Sequence, residues 1–487
     1  MSKEILNLEP KAVWKHFYEL TQIPRPSKKE EKVIEFMKNF GEGLGLETVV
    51  DEVGNVIIRK PATPGMENRK GVILQGHLDM VPQKNSDVEH DFEKDPIDAY
   101  VDGEWVTARG TTLGADNGIG VAAAMAVLES KDLEHGPIEA LFTIDEETGM
   151  TGAFGLKPGI LKGEILINMD SEDEGELYVG CAGGTNANLS YSYKEEQVPA
   201  GHVAYRISVS GLKGGHSGVD IALERGNANK LLNRVLWMAT EAYGIRLADM
   251  QGGDLRNAIP READAVVTVA EEKEEDLVKF VADMEGVYKD ELSSADPGVT
   301  LTAERTETPS AVMDETSQEK ILNALYASPH GVIRMSTDME GLVETSNNVA
   351  VVRMGNGTFE ELCLIRSSVD TAREDLKNVF SSIAALAGGS VTFDGEYPGW
   401  KPNMQSPILK EMREIYNNRF GNIPEIKAIH AGLECGLLGG VYPGLDMISF
   451  GPTIRYPHSP DEKVHIGSVQ KFWDFLVETL KHIPEKE

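Results

Sequence analysis

Three short apolar runs in the first third of the chain each end in side chains that a buried strand does not ordinarily carry: GVILQGHLD at 71–79, EALFTIDEE at 139–147 and ILINMD at 165–170. Runs of this length, rich in Val, Ile and Leu and separated by a helical stretch over 118–129, have the pattern of strands and crossover helices in an α/β sheet. Open sheets of that kind bind their ligands beyond the carboxyl ends of the strands. His, Asp and Glu placed there therefore mark a candidate site.

At 487 residues and 53.2 kDa the chain exceeds what one core usually organises, so two or three domains are expected. From about Asn186 alternating strands such as 202–209 and 263–269 mix with amphipathic helices around 229–243, 274–291 and 370–387, the texture of an α+β domain. A Gly/Pro-rich break at 395–402 closes that block, and α/β texture returns with a helix at 407–419, a strand at 447–450 and a helix at 468–483. The expectation is a discontinuous catalytic domain, 1–185 plus 397–487, with 186–396 inserted as one piece. Near the start, two helices are read over 9–45, the second opened by a Ser27/Glu30 capping box.

Charge narrows the functional classes. With Lys+Arg 47 against Asp+Glu 79 the net charge is −32, which repels phosphate backbones and anionic headgroups, so neither nucleic acid nor membrane is an expected partner. The opening residues lack an apolar signal core, and the run 121–128 is too short to span a bilayer, so cytoplasmic residence is expected. The three cysteines lie far apart without a CxxC pair, which leaves His, Asp and Glu as the residues able to hold a metal.

Five clusters supply such residues. His77 and Asp79 sit two apart at a strand end, on one face, with the acid placed to orient the imidazole. Asp116 lies in the glycine-flanked turn Gly114–Gly118; Asp145, Glu146 and Glu147 follow LFTI; Asp170 follows ILINM; His458 lies between Pro457 and Pro460. Singly, each is ordinary strand-end, helix-cap or loop chemistry. Together, on one sheet and without cysteine, they match a dinuclear zinc, manganese or cobalt site of the hydrolytic kind.

HLDM at 77–80, TTLGADNG at 111–118, DEETGM at 145–150, NMDSED at 168–173, GLKGGHSG at 211–218, HAGLECG at 430–436 and GPTIRYPHSPDE at 451–462 resemble the aminoacylase and carboxypeptidase-type di-zinc peptidases, and among them the aminoacyl-histidine dipeptidase branch. The resemblance implies a zinc-exopeptidase-like three-layer α/β catalytic domain with an inserted α+β lid. It also implies two divalent ions, zinc before manganese or cobalt, bridged by Asp116, with His77 and Asp170 on one and Glu147 and His458 on the other. Asp79 then orients His77, and Glu146 is the general base that activates water. Two ions at +4 against Asp116, Glu147 and Asp170 at −3 leave one charge for a hydroxide, which metals can form near pH 7.

In the inserted domain, His216 corresponds to a lid histidine that polarises the scissile carbonyl. Arg366 and Asn257 fit the anchoring of a substrate carboxylate, and Gly432 and Glu434 fit the lining of the same pocket. The expected activity is that of a homodimeric metallo-dipeptidase acting on unblocked dipeptides, Xaa-His such as β-alanyl-histidine included. A deacylase or aminotripeptidase of the same chemistry is the enzyme alternative. A metal- or partner-binding protein without turnover would leave Glu146 no role.

Overall fold

The computed structural model describes residues 3–486. Contacts divide the chain into two compact units, one running to Gly180 and resuming over Pro402–Ala428 and from Leu433, the other comprising Cys181–Lys401 with Ile429–Gly432. The breaks fall a few residues outside 185/186 and 396/397 because strands Gly183–Ser192 and Ser390–Tyr397 pair with each other in the second unit's sheet. The stretch 429–432 goes with the second unit, where Ala182 N donates to the carbonyls of Ile429 (3.1 Å) and Ala431 (3.0 Å).

The first unit is built on an eight-stranded sheet in the order Glu47–Val50, Val56–Lys60, Ile138–Thr143, Val72–His77, Ile165–Asn168, Asp446–Ser449, Glu176–Cys181, Glu425–Ile429. The four central strands, from Ile138–Thr143 to Asp446–Ser449, run parallel. Their carboxyl ends therefore share one edge of the sheet. Val72–His77, Ile138–Thr143 and Ile165–Asn168 are buried at every position, which is why they read as continuous apolar runs rather than alternations. Helix Ala115–Glu129 is buried from Ala115 through Leu128, and from Gly118 to Leu128 it is apolar all round, as burial on every side requires. It lies so close to the Ile165–Asn168 segment that a Cβ on Gly120 would come 2.6 Å from the Met169 carbonyl.

A separate four-stranded sheet orders Ile454–Arg455, Lys463–His465, Trp105–Ala108 and Ala99–Asp102, and its hairpin loop 456–462 carries His458. The Ser27/Glu30 capping box is not formed. The helix begins at Glu31 without a side-chain cap, because both groups serve buried carboxylate chemistry instead. Ser27 Oγ donates to Asp79 Oδ2 (2.7 Å), and Glu30 Oε1 accepts from the amides of Lys28 (2.8 Å) and Asp145 (3.1 Å).

The second unit is an α+β layer pair: a nine-stranded antiparallel sheet, and helices Ala228–Tyr243, Glu274–Glu291, Glu315–Ala327 and Asp370–Ala387. Its core joins sheet residues such as Ile207, Val267 and Phe359 to Leu232, Leu322 and Phe380 from the helices. The mixed α/β class expected for the chain is the one observed. Among the described residues no helix is long and apolar enough to cross a membrane.

Candidate metal centre

His77 closes its strand, and three turns with left-handed backbone carry the other groups of the centre. Gly114 (φ 72°) bends the chain so that Asp116, at φ −80° and ψ 112°, departs from the helical path. Asp145 (φ 51°) starts the short helix Glu146–Gly149, and His458 (φ 61°) sits at its hairpin tip. Non-glycine residues persist in this region where surrounding bonds over-determine them.

The outcome is two triads sharing one carboxylate. His77 Nε2 lies 3.2 Å from Asp116 Oδ1 and 3.3 Å from Asp170 Oδ1. His458 Nε2 lies 3.3 Å from Asp116 Oδ2 and 2.9 Å from Glu147 Oε2. Each oxygen of Asp116 thus faces a different imidazole. Within each triad the ligand-type atoms lie within 4.8 Å of one another, and Glu146 forms a further such group with His77 and Glu147.

Asp79 acts on both sides of the centre. Its Oδ1 is 3.4 Å from His77 Nδ1, which also meets the Asp79 carbonyl at 3.1 Å, so the imidazole is oriented by backbone and carboxylate together. The same carboxylate accepts from the amides of Glu146 (3.0 Å) and Glu147 (3.2 Å), which places those two side chains. Burial alone would raise the Asp79 carboxyl; His77, Ser27 and the Glu146 amide hold it down to about 2.

Crowded like charges set the field at the centre. Burial pushes the carboxyls of Glu146 and Asp170 well above the usual range, with neighbouring carboxylates adding to it. Asp116 is held well below that range, against burial, by His458 and His77. His77 is raised despite burial by Asp170, Asp116 and Asp79, and Asp116 and Glu147 push His458 up to about 11. A divalent ion would supply the positive charge that this many closely packed carboxylates demand. Glu147 Oε1 is buried without a hydrogen-bond partner among the described residues. The donor set, imidazole and carboxylate without thiolate, fits a pair of divalent cations.

Behind His77, Glu434 is buried and accepts from Gln75 (2.6 Å) and Thr143 (2.8 Å), leaving Oε1 without a hydrogen-bond partner among the described residues. Burial pushes its carboxyl up to about 7. Gln75 in turn accepts from Asn168 Nδ2 (2.5 Å), whose Oδ1 accepts from the Asp170 amide (3.3 Å). A buried polar chain therefore joins Glu434 to the backbone of Asp170. Gln75, Asn168, Arg25 and Glu462 were given no role in the sequence, and Ser27 was read there as a helix cap rather than as a partner of Asp79. Glu462 lay within a quoted motif, whereas Arg25, between two prolines, carried no local signal.

The remaining candidates belong to the second unit. His216 Nδ1 accepts from the amides of Gly218 (3.1 Å) and Val219 (3.0 Å), which puts the ring proton on Nε2. Burial, and then the charge of Arg366, lower its basicity, so the ring is a neutral Nε2–H donor. Arg366 is 5% exposed, and its guanidinium meets Ser217 Oγ (3.4 Å) and Tyr397 Oη (3.1 Å), both neutral. Asn257 is exposed, and its carbonyl accepts from Ser217 N (2.8 Å). Gly432 closes the stretch 429–432 that also holds His430.

Residues 73–482 match peptidase family M20/M25/M40. The chain is 49% identical over 483 residues to the cytosol non-specific dipeptidase of Escherichia coli strain K12, covering 99% of this chain and 100% of the relative. The crystal structure of aminoacylhistidine dipeptidase from Vibrio alginolyticus is similar at a TM-score of 0.95 and 50% identity, covering 100% of this chain and 99% of that one. An aminopeptidase from Bacillus cereus shares the fold alone, at a TM-score of 0.57 and 15% identity over 98% of this chain and 99% of that one.

Proposed function

The chain belongs to peptidase family M20/M25/M40, and from that membership and the shared-carboxylate triads we infer that it is a metallo-dipeptidase hydrolysing unblocked dipeptides. The observation that carries the site assignment is Asp116, whose two oxygens face His77 and His458 separately at 3.2 and 3.3 Å. His77, Asp116 and Asp170 would hold one ion, and Asp116, Glu147 and His458 the other, with zinc suiting the imidazole and carboxylate set. When bound, such ions polarise the scissile carbonyl and bring the pKa of water down to about 7.

The chain's own groups do the rest. Glu146, fixed through its amide by Asp79 but not needed in either triad, takes the proton of the attacking water and delivers it to the leaving amine. His216 offers a neutral Nε2–H, the donor that an oxyanion requires. Arg366 is a buried guanidinium whose partners among the described residues are neutral, which a substrate carboxylate would satisfy bidentately, Asn257 adding a polar contact and Gly432 a side-chain-free wall. Glu434, with one unpartnered buried oxygen, is suited to receive the free amino terminus.

Xaa-His dipeptides such as β-alanyl-histidine are proposed among the substrates, following the likeness to the Vibrio enzyme. Cytoplasmic residence follows the name of the Escherichia coli relative. A homodimer is supported by exposed apolar side chains of the second unit, Val219 at 58%, Leu223 at 52% and Ile333 at 43%, and sedimentation would measure it.

The deciding experiment is Glu146→Gln. Turnover of a dipeptide should fall on the order of 10²- to 10⁴-fold while both ions stay bound. Loss of metal as ready as in Glu147→Gln, or near-normal turnover, would refute the assignment.

A further inference from the structure

Two buried side chains of opposite charge clasp the Gly114 turn, and neither belongs to the triads or to the base. Glu462, 2% exposed, stands four residues beyond His458 at the foot of the same hairpin. Its Oε2 accepts from the amides of Leu113 (2.7 Å) and Gly114 (2.9 Å), and its Oε1 from those of Ala115 (2.8 Å) and Asp116 (3.2 Å). Arg25, also 2% exposed, donates through Nη1 to the carbonyls of Leu78 (2.9 Å) and Asp79 (3.0 Å), and through Nη2 to that of Gly114 (2.5 Å).

The connectivity is what matters. Arg25 ties the segment following His77 to the turn that presents Asp116, and Glu462 ties the hairpin of His458 to the same turn. Gly114 is gripped at its N–H by the carboxylate and at its C=O by the guanidinium. The glycines framing Asp116 make room for this: a Cβ on Gly114 would come 2.6 Å from Arg25 Nη2, and one on Gly118 2.7 Å. A buried carboxylate is tolerated only when its acceptor capacity is filled, and four backbone donors fill that of Glu462. Both groups are therefore rigid, and a rigid group with bonds to two segments transmits placement from one to the other.

We propose that Arg25 and Glu462 are positioning residues that together fix the relative placement of His77, Asp116 and His458, so that both oxygens of Asp116 face their imidazoles at once. The proposal rests on the reading of these three residues as metal ligands. It requires the two side chains to act on ion binding itself, beyond any effect on folding.

The test titrates metal-free, full-length protein with Zn²⁺ by calorimetry, records the visible spectrum of the Co²⁺-loaded form, and follows the thermal melt of the metal-free form. Glu462→Gln keeps the volume but turns an amide NH₂ toward two backbone N–H donors. Arg25→Lys keeps the charge but loses the fork that reaches both carbonyl sets. Each should weaken Zn²⁺ binding at least tenfold and shift the Co²⁺ bands. A variant that keeps wild-type affinity and spectrum overturns the proposal, including one whose metal-free melt alone is lowered, because that outcome shows a merely structural role. If Glu462→Gln does not accumulate in folded form, Glu462→Asp, too short to hold all four amides, is read by the same two measurements. Asp116→Asn separates the two levels: if it binds both ions normally, the ligand reading is what fails.

Discussion

The substrate role proposed for Arg366 can be tested at a single side chain. Its guanidinium is buried, and Ser217 and Tyr397 offer hydroxyls rather than charge. An unpaired buried cation is costly, so binding a terminal carboxylate relieves a penalty that an amide cannot relieve. Losing a charge-assisted hydrogen bond costs roughly 1.5–3 kcal/mol, about 10- to 150-fold. Dipeptide amides should accordingly show kcat/KM lower by that factor, and Arg366→Ala should erase most of the difference. Equal kcat/KM for acid and amide in the wild type would remove Arg366 from substrate recognition. The residue was visible in the sequence only as a cation after an apolar strand, a pattern shared with any surface ion pair.

At the scale of elements, the segment following strand Glu425–Ile429 carries a titration that the folded state resists. His430 is 7% exposed, with Nε2 at 2.7 Å from Ser346 Oγ, and burial, reinforced by Arg366, lowers its pKa to about 3. The unfolded chain, with an ordinary value near 6.5, binds a proton that the folded chain refuses as pH falls below about 6.5. Stability is therefore full above about 6.5 and declines as pH drops toward about 3. Between pH 7 and pH 5 the loss attributable to His430 is about 2 kcal/mol. Denaturation of His430→Gln over that range should show a decline shallower by this amount, and parallel profiles would exclude the effect. Elements themselves were largely legible: the helices 274–291 and 370–387 appear with those bounds, because a helical apolar stripe is local information. The capping box failed because Ser27 and Glu30 are claimed by Asp79 and Asp145, which no local pattern could show.

For the whole molecule, the excess of buried carboxylate at the centre couples the first unit's stability to its ions. A ligand at about 1,000 times its Kd stabilises by about 4 kcal/mol. Chelation should lower the melting temperature of the first unit by several degrees, Zn²⁺ should restore it, and the second unit, whose core contains no part of the triads, should not respond. Hydrogen exchange would assign the change; equal loss of protection in both units would contradict it. What the sequence by itself determined is the material of the site and the α/β class, because strand burial and the polarity of strand ends are written in runs of six to nine residues. What only the tertiary structure decided is which of those groups meet. Glu462 reaches the amide of Leu113 across 349 positions, and Glu434 reaches Gln75 across 359. Contacts of that span depend on strand order and register, which bring the two ends of the chain to one turn, and neither periodicity nor composition encodes that meeting.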